Sequence, residues 1–399
     1  MSNFELVENE ADSITVIKVM GVGGAGGNAV DHMINGNVQG VDFLVANTDA
    51  QALGRNRATQ KINFGNTGLG AGANPEVGCS AAMAQREDIR AALSGAHMVF
   101  ITAGMGGGTG TGAAPVVAEV AREMGILSVG VATKPFSFEG NKRAKLAEAG
   151  IIEFSKQVDS LIVVLNDKLM DVMGEDAAVE DCFKTADDVL KNAVGGIAEI
   201  ITQPGLINVD FEDVRTVMNE PGRAMMGSAM ASGADRAMIA AQQAVASPLL
   251  EGVELSGARG VLVNISASLS LKMREVNEVM EVVKSFAAYD AHIIFGAVFD
   301  ETMSDELRVT VVATGLGSAV TCRQDLKLIS QQKEEEESLK ATGTHDESAE
   351  LTDPAGAVDY SELDSIPAVI RKRKTTAEAL VSNGVSHYDI PAFLRKQAD

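Results

Sequence analysis

Six glycines fall between Gly104 and Gly112 in the stretch AGMGGGTGTGAAP (103–115), directly after the apolar run HMVFIT. Gly104, Gly106, Gly107, Gly108, Gly110 and Gly112 leave the backbone bare, and Thr109 and Thr111 add hydroxyl donors. A glycine gives up more chain entropy on folding than any other residue, roughly 0.5 to 1 kcal/mol beyond alanine in regular structure. So dense a run points to backbone that has to come close to something. At a strand-to-helix turn the natural guest is an anion, because free N–H groups and the positive end of the helix dipole favour phosphate oxygens. Pro115 suits the first turn of the helix that follows.

A second turn of the same kind is GVGGAGGNAV (21–30), where Gly21, Gly23 and Gly26 satisfy GxGxxG after a strand. Alone, this is the dinucleotide fingerprint, with Asp42 or Asp49 as the acid about 20 residues on. It is equally a tight turn with close packing. Two such turns in one sheet are more than a dinucleotide needs, and facing one crevice they could hold a triphosphate between them. GNTGLGAGANPE (65–76) supplies a third loop, in which Gly70, Ala71, Gly72 and Ala73 can approach the terminal phosphate. No GxxxxGK[ST] occurs, so this cradle has no lysine and relies on backbone and metal.

Three pairs of side chains bear on the rest of a nucleotide. Phe183 and Asp187 stand at i and i+4 on one helix face; a ring there can stack on a purine and a carboxylate can accept from guanine N1–H and N2–H₂. The plainer alternative is a core phenylalanine beside a solvated acid. Glu139 and Arg143, again i and i+4, read as a surface ion pair. In GLINVDFEDV (205–214), Asp210 and Asp213 are either ordinary helix N-terminal acids or a pair able to polarise a water. Glu212 lies between them and is easily confused with them.

The elements that must position these residues read as an α/β fold with a mostly parallel sheet. Candidate strands are residues 14–20, 41–47, 97–103, 126–133 and 160–166. A helix longer than 20 residues follows, with apolar residues from Val179 to Ile201 at spacings of three and four, and QPG stops it at Pro204 and Gly205. Beyond it a smaller α+β unit with its own core and a mixed sheet contains RAMMGSAMA, GVLVNISAS, HIIFGAVF and RVTVVATG. The organisation expected is a flexible N-terminus (1–12), a nucleotide-binding Rossmann-like domain (13–177), a central helix (178–203), a second domain carrying the acidic loop (204–316), a disordered acidic linker (317–386) and a terminal peptide (387–399). The linker has no apolar period and cannot offset its ordering entropy.

Composition removes several function classes. The 399-residue chain has a net charge of −22, which argues against nucleic acid as partner. Its three cysteines, Cys79, Cys182 and Cys322, form no CxxC, which points to a reducing cytosol. The five histidines have no zinc spacing, so no metal ligands are assigned. No apolar run approaches the ~20 residues that cross a bilayer, so contact with a membrane is expected only indirectly.

GGGTGTG (106–112) resembles the signature of the tubulin/FtsZ GTPase superfamily, and the likeness extends over about residues 12–316 and the last peptide. Ala25 departs from the glycine that many relatives carry. The resemblance implies GTP, with Mg²⁺, bound by Gly21, Val22, Gly23, Gly24, Ala25, the loop 70–73, Gly104, the run 106–112 and Thr133. It places Glu139 at the ribose, Arg143 beside the nucleotide, and Asn28, Asn166, Phe183 and Asp187 toward the base. It implies hydrolysis to GDP completed across a subunit contact by Asn208, Asp210 and Asp213 from a neighbour. Such a contact is head-to-tail, and heterologous contacts that do not close make filaments. The family role implied is bacterial cell division, cytoplasmic and at mid-cell on the inner face of the plasma membrane. DIPAFLRKQ (389–397) resembles the family peptide that docks on division partners, including an actin-like membrane anchor, through Asp389–Lys396. RKRK (371–374) reads as a linker charge block. The competing functions are a nicotinamide dehydrogenase, for which no catalytic His or Lys presents itself in the second unit, and a nucleotide sensor that does not hydrolyse.

Overall fold

Every residue of β1 (Ile17–Val22) is buried, and the strand runs without a loop into α1 (Gly23–Asn35). The computed structural model describes residues 15–65, 68–174, 177–203, 205, 207, 209–220, 222–247, 257–300 and 303–316. Asn208, the expected N-terminal arm, the linker 317–386 and the peptide 387–399 lie outside them.

After α1 come β2 (Asp42–Asn47), α2 (Ala50–Arg55), β3 (Gln60–Asn63), α3 (Pro75–Ala84), α4 (Arg86–Leu93), β4 (Met98–Gly104) and α5 (Thr109–Glu123). Then follow β5 (Leu127–Lys134), a 3₁₀ turn (Ser137–Glu139), α6 (Asn141–Ser155), β6 (Ser160–Leu165), α7 (Asn166–Met173) and the 24-residue α8 (Val179–Thr202). The second half holds α9 (Phe211–Met218), β7 (Arg223–Ser232), α10 (Arg236–Val245), β8 (Ala258–Ala267), α11 (Met273–Phe286), β9 (Ala287–Phe299) and β10 (Glu306–Leu316).

The strands form one sheet in the order β3-β2-β1-β4-β5-β6-β7-β10-β8-β9. The first six are parallel, and the central ones, β1, β4, β5 and β6, are mostly apolar because helices cover both faces. β7 joins β6 at a single parallel pair, Ile162↔Ala224, while β10 runs antiparallel to β7 and β8, and β8 is parallel to β9. The second half of the sheet is therefore mixed. The order reverses between β1 and β4, and in open α/β sheets ligands bind outside the carboxyl ends of the strands at such a switch point. Register pairs Val22 with Ala103, so both glycine turns leave the sheet side by side.

Three apolar cores hold this arrangement. One lies on the α5 face of the parallel strands and one under α10 and α11. The third is shared, since it joins α1 and α8 to Val214 and Val217 of α9, Leu262 and Val312. The second unit thus has a core of its own and also completes one built on α8.

Two local expectations change. β1 extends to Val22, further than the stretch 14–20, because Gly21 is still strand; a methyl there would collide with the Gly26 carbonyl. Pro115 lies inside α5 and not in its first turn, because the helix starts within the glycine run at Thr109.

Candidate nucleotide site

The two glycine turns touch. Gly23 adopts φ +77, a left-handed conformation that glycine alone enters freely, and a methyl on it would lie 2.8 Å from the Gly110 amide nitrogen. Gly106 has φ +92 and its amide donates to Thr111 Oγ1 at 2.9 Å. Thr111 is buried and braces the turn; the Thr109 hydroxyl, 2.6 Å from that of Thr48, lines the cavity. The hydroxyl expected to face a ligand from position 111 is therefore spent inside the turn.

The glycines divide into two groups by what a side chain would meet. At Gly26, Gly108 and Gly112 a methyl would run into Thr102, Asn74 and Pro75 backbone atoms respectively, so these positions are bare to let backbones pack. At Gly24 and Gly107 nothing lies within 4 Å, yet both line the cavity. At these two positions the chain is open to a guest.

That cavity, about 250 Å³, opens beyond the carboxyl ends of β1, β4, β5 and β6. Of the residues singled out in the sequence, Gly24, Ala25, Gly104, Gly107, Gly108, Thr109, Gly110, Thr133, Glu139, Arg143, Asn166, Phe183 and Asp187 line it. Met105, Pro135, Ala186 and Leu190 add apolar wall that sequence reasoning did not assign. Gly21, Val22, Gly23, Gly106, Thr111 and Gly112 stand behind the wall, and Asn28 is exposed outside it. The third loop lies apart: Gly70 borders an adjoining groove with Thr48, Asn74 and Glu76, while Ala71 packs near Gly108. Gly72 and Ala73 are exposed, the latter at φ 57.

At the far side of the cavity from the turns are the groups suited to a base. Asn166 is 5% exposed and its Oδ1 has no hydrogen-bond partner. An unpaired buried acceptor is costly, of order 1 to 3 kcal/mol, and a ligand that reaches it recovers that cost. Phe183 is 44% exposed, with its ring edge-on to Phe136 at 5.2 Å. Burial pushes the Asp187 carboxyl up to about 6, His32 pulls it down and Asp188 pushes it up. Glu139 accepts from the Phe136 amide at 3.0 Å and pairs with Arg143 at 2.6 Å, so the plain ion-pair reading holds while both residues face the cavity.

Asp210 and Asp213 are elsewhere. Asp210 caps α9, whose apolar side packs under β8 and β9, and Ile207 bridges to Ala297. A methyl on Gly296 would sit between Ile200 and Val209, so this loop lies level with Ile200. From Asp187 to Ile200 the axis of α8 advances about 20 Å at roughly 1.5 Å per residue. The acids therefore do not reach the cavity of their own chain. A larger cavity, about 450 Å³ and lined by Lys191, Glu199, Ser266 and Arg308, contains none of the glycine turns.

Comparison with known proteins gives the same frame. Residues 16–174 match the Tubulin/FtsZ family GTPase domain, and residues 222–317 match the FtsZ family C-terminal domain. The chain is 50% identical to the cell division protein FtsZ of Wigglesworthia glossinidia brevipalpis, over 99% of this chain and all of the relative. It is equally 50% identical to that of Pseudomonas aeruginosa, with the same coverage. Among solved structures it superposes on an empty FtsZ dimer from M. jannaschii with a TM-score of 0.72 at 43% identity, covering 76% of this chain and 88% of the other. It shares the fold of Haloferax volcanii CetZ2, solved as a GTPγS-bound protofilament, with a TM-score of 0.66 at 20% identity over 76% of this chain and 93% of that one. With its GTPase domain, its C-terminal domain and this identity over its full length, the chain belongs to the FtsZ family of tubulin-like cell-division GTPases.

Proposed function

We propose that this GTPase hydrolyses GTP only when one subunit presents Asp210 and Asp213 to the cavity of the next, so that turnover and head-to-tail assembly are one coupled event. The observation that carries this is the span of α8. It holds Phe183 and Asp187 at the cavity while the acids sit about 20 Å further along the axis. An acidic loop that cannot serve its own pocket has to serve another, and a contact between opposite ends of identical chains propagates.

In this reading the amides of Gly24 and Gly107, with Thr109, Gly108 and Gly110, cradle the phosphates. Arg143 is the cation facing them, Glu139 and Thr133 flank the ribose, and Asn166, Phe183 and Asp187 take the guanine. The orphaned Asn166 oxygen and the bare Gly24 and Gly107 fit such a guest. Among the described residues no group of three or more His, Cys, Asp or Glu could hold a metal. Magnesium therefore fits as an ion carried by the phosphate oxygens and water, where it neutralises developing charge. Asp210 and Asp213, with Asn208 in the same loop, would hold or polarise the attacking water.

The remaining roles follow the family. We read residues 13–177 as the GTP-binding domain, 178–203 as the central helix and 204–316 as the domain that brings the loop. Asp389–Lys396 is the expected docking peptide for division partners, including a membrane anchor, with assembly at mid-cell. Among the described residues no helix is long and apolar enough to cross a membrane.

Turnover per molecule, measured across protein concentration, tests the proposal. It should be almost absent below a threshold and rise steeply above it; constant turnover per molecule at every concentration would contradict a shared site.

A further inference from the structure

The carboxylate that faces the base does not stand alone. On the next residue of α8, Asp188 Oδ1 is held by two partners: His32 Nε2 of α1 at 2.9 Å and Lys191 Nζ at 2.6 Å. The helices come close at this point, since a methyl on Gly36 would lie 2.8 Å from Lys191 Cδ. Helix α1 begins at the phosphate turn and reaches α8 about 14 Å later at His32, at roughly 1.5 Å per residue. One rigid element therefore joins the phosphate cradle to the helix face that carries Asp187.

We propose that His32 is a specificity-determining positioning residue: its bond to Asp188 ties the Asp187 face of α8 to α1 and so sets that carboxylate against a guanine edge. The inference rests on the reading of Asp187 as the guanine carboxylate.

The charges around Asp187 support the assignment. Desolvation raises its proton affinity toward about 6, Asp188 adds to that, and His32 opposes both. On α8 itself Lys184 is occupied by Glu180 at 2.8 Å and Lys191 by Asp188. From the 3₁₀ turn and α6, Glu139 and Arg143 face the same cavity but are paired with each other. On α7, Asp167 accepts from the Ser137 amide and hydroxyl. On α1, Asp31 accepts from the Arg57 amide. Of the groups that act on Asp187, His32, on the neighbouring helix α1, is the one that favours the charged carboxylate. A guanine offers two donors and needs a charged carboxylate opposite them, so losing that charge weakens guanine binding and leaves phosphate binding intact.

The test is equilibrium binding of GTP and of xanthosine triphosphate to the full-length chain between pH 5.5 and 8. His32→Gln keeps a donor for Asp188 and cannot be charged; His32→Arg keeps a donor and is charged throughout this range. We expect His32→Gln to bind GTP about three-fold more weakly than the parent at pH 6, and within two-fold of it at pH 8, from a shift of about 0.7 pH unit in the acid limb. His32→Arg, charged as a protonated histidine is, should follow the acid limb of the parent, and His32→Asn, a second donor without charge, decides the matter if the Gln variant does not fold. Acid limbs that superimpose for all of these proteins would overturn the proposal. Asp187→Asn, which reverses one hydrogen-bonding position, should exchange GTP for xanthosine triphosphate. If it does not, the guanine reading itself fails and takes this proposal with it. If the exchange occurs while the His32 variants behave as the parent, only the role of His32 is lost.

Discussion

Asp210 Oδ1 accepts a hydrogen bond from the Asp213 backbone N–H at 2.7 Å, which makes Asp210 the N-cap of α9 and leaves the Asp213 carboxylate exposed. The two acids that look alike in GLINVDFEDV thus have unequal structural duties. Asp213→Ala should bind GTP as the parent does and lose turnover by roughly 100-fold or more. Asp210→Ala should lose turnover and also about 1 kcal/mol of stability through the missing cap, seen as a lower unfolding midpoint. Loss of GTP binding in Asp213→Ala would mean that the loop is misassigned.

The glycine run makes a second prediction, because its members are bare for different reasons. Gly107→Ala meets no neighbour and should fold normally while GTP binding weakens. Gly112→Ala drives a methyl into the Pro75 carbonyl and within 2.7 Å of the Cys79 amide nitrogen, so its defect should be in folding. Thermal unfolding beside nucleotide titration separates the two.

Asp187 sets a function against stability. Its carboxyl is raised in the folded protein to about 6, chiefly by burial, so the folded state favours the neutral form. The sign is that this contribution favours folding below the unfolded pKa and is lost as pH rises through 6. Above pH 6 the charge opposes folding. Asp187→Asn should therefore raise the unfolding midpoint of the nucleotide-free protein at pH 7.5, and much less at pH 4. GTP binding by the parent should weaken as pH falls below 6.

In the second half of the chain, Arg236 and Glu275 form a buried pair at 2.8 Å between α10 and α11, with Arg236 also donating to the Asp305 carbonyl at 3.0 Å. Removing the arginine strands a buried carboxylate. Arg236→Met should cost about 3 kcal/mol or more and leave GTP affinity unchanged, because no residue of this pair borders the cavity.

Much of this was readable in the chain, and for definite reasons. The parallel strands β1, β4 and β5 are buried on both faces, so each is a mostly apolar run that stands out from its surroundings. Helix α8 has a stripe long enough to find by period. Strand β3 has a single apolar residue, Ile62, among four, and is a strand because β2 offers it an edge. Among the site residues, the glycine turns announce themselves by composition. Asn166 and Thr133, ordinary residues at strand ends, carry no signal beyond family resemblance. His32 carries none at all, since its partner Asp188 is 156 residues away and only packing of α1 on α8 brings them together. The division between packing glycines and open glycines is likewise a property of neighbours and not of spacing.

The most direct test of a site shared between subunits is complementation between two defective chains. Asp213→Ala has an intact pocket and lacks the acid, while Asp187→Ala keeps the acid and should not hold GTP. Mixed in equal amounts above the assembly threshold with GTP, they should turn over several times the sum of their separate rates, because the pocket of one meets the loop of the other. A mixture whose rate equals that sum would contradict hydrolysis across the contact and return the chemistry to a single chain.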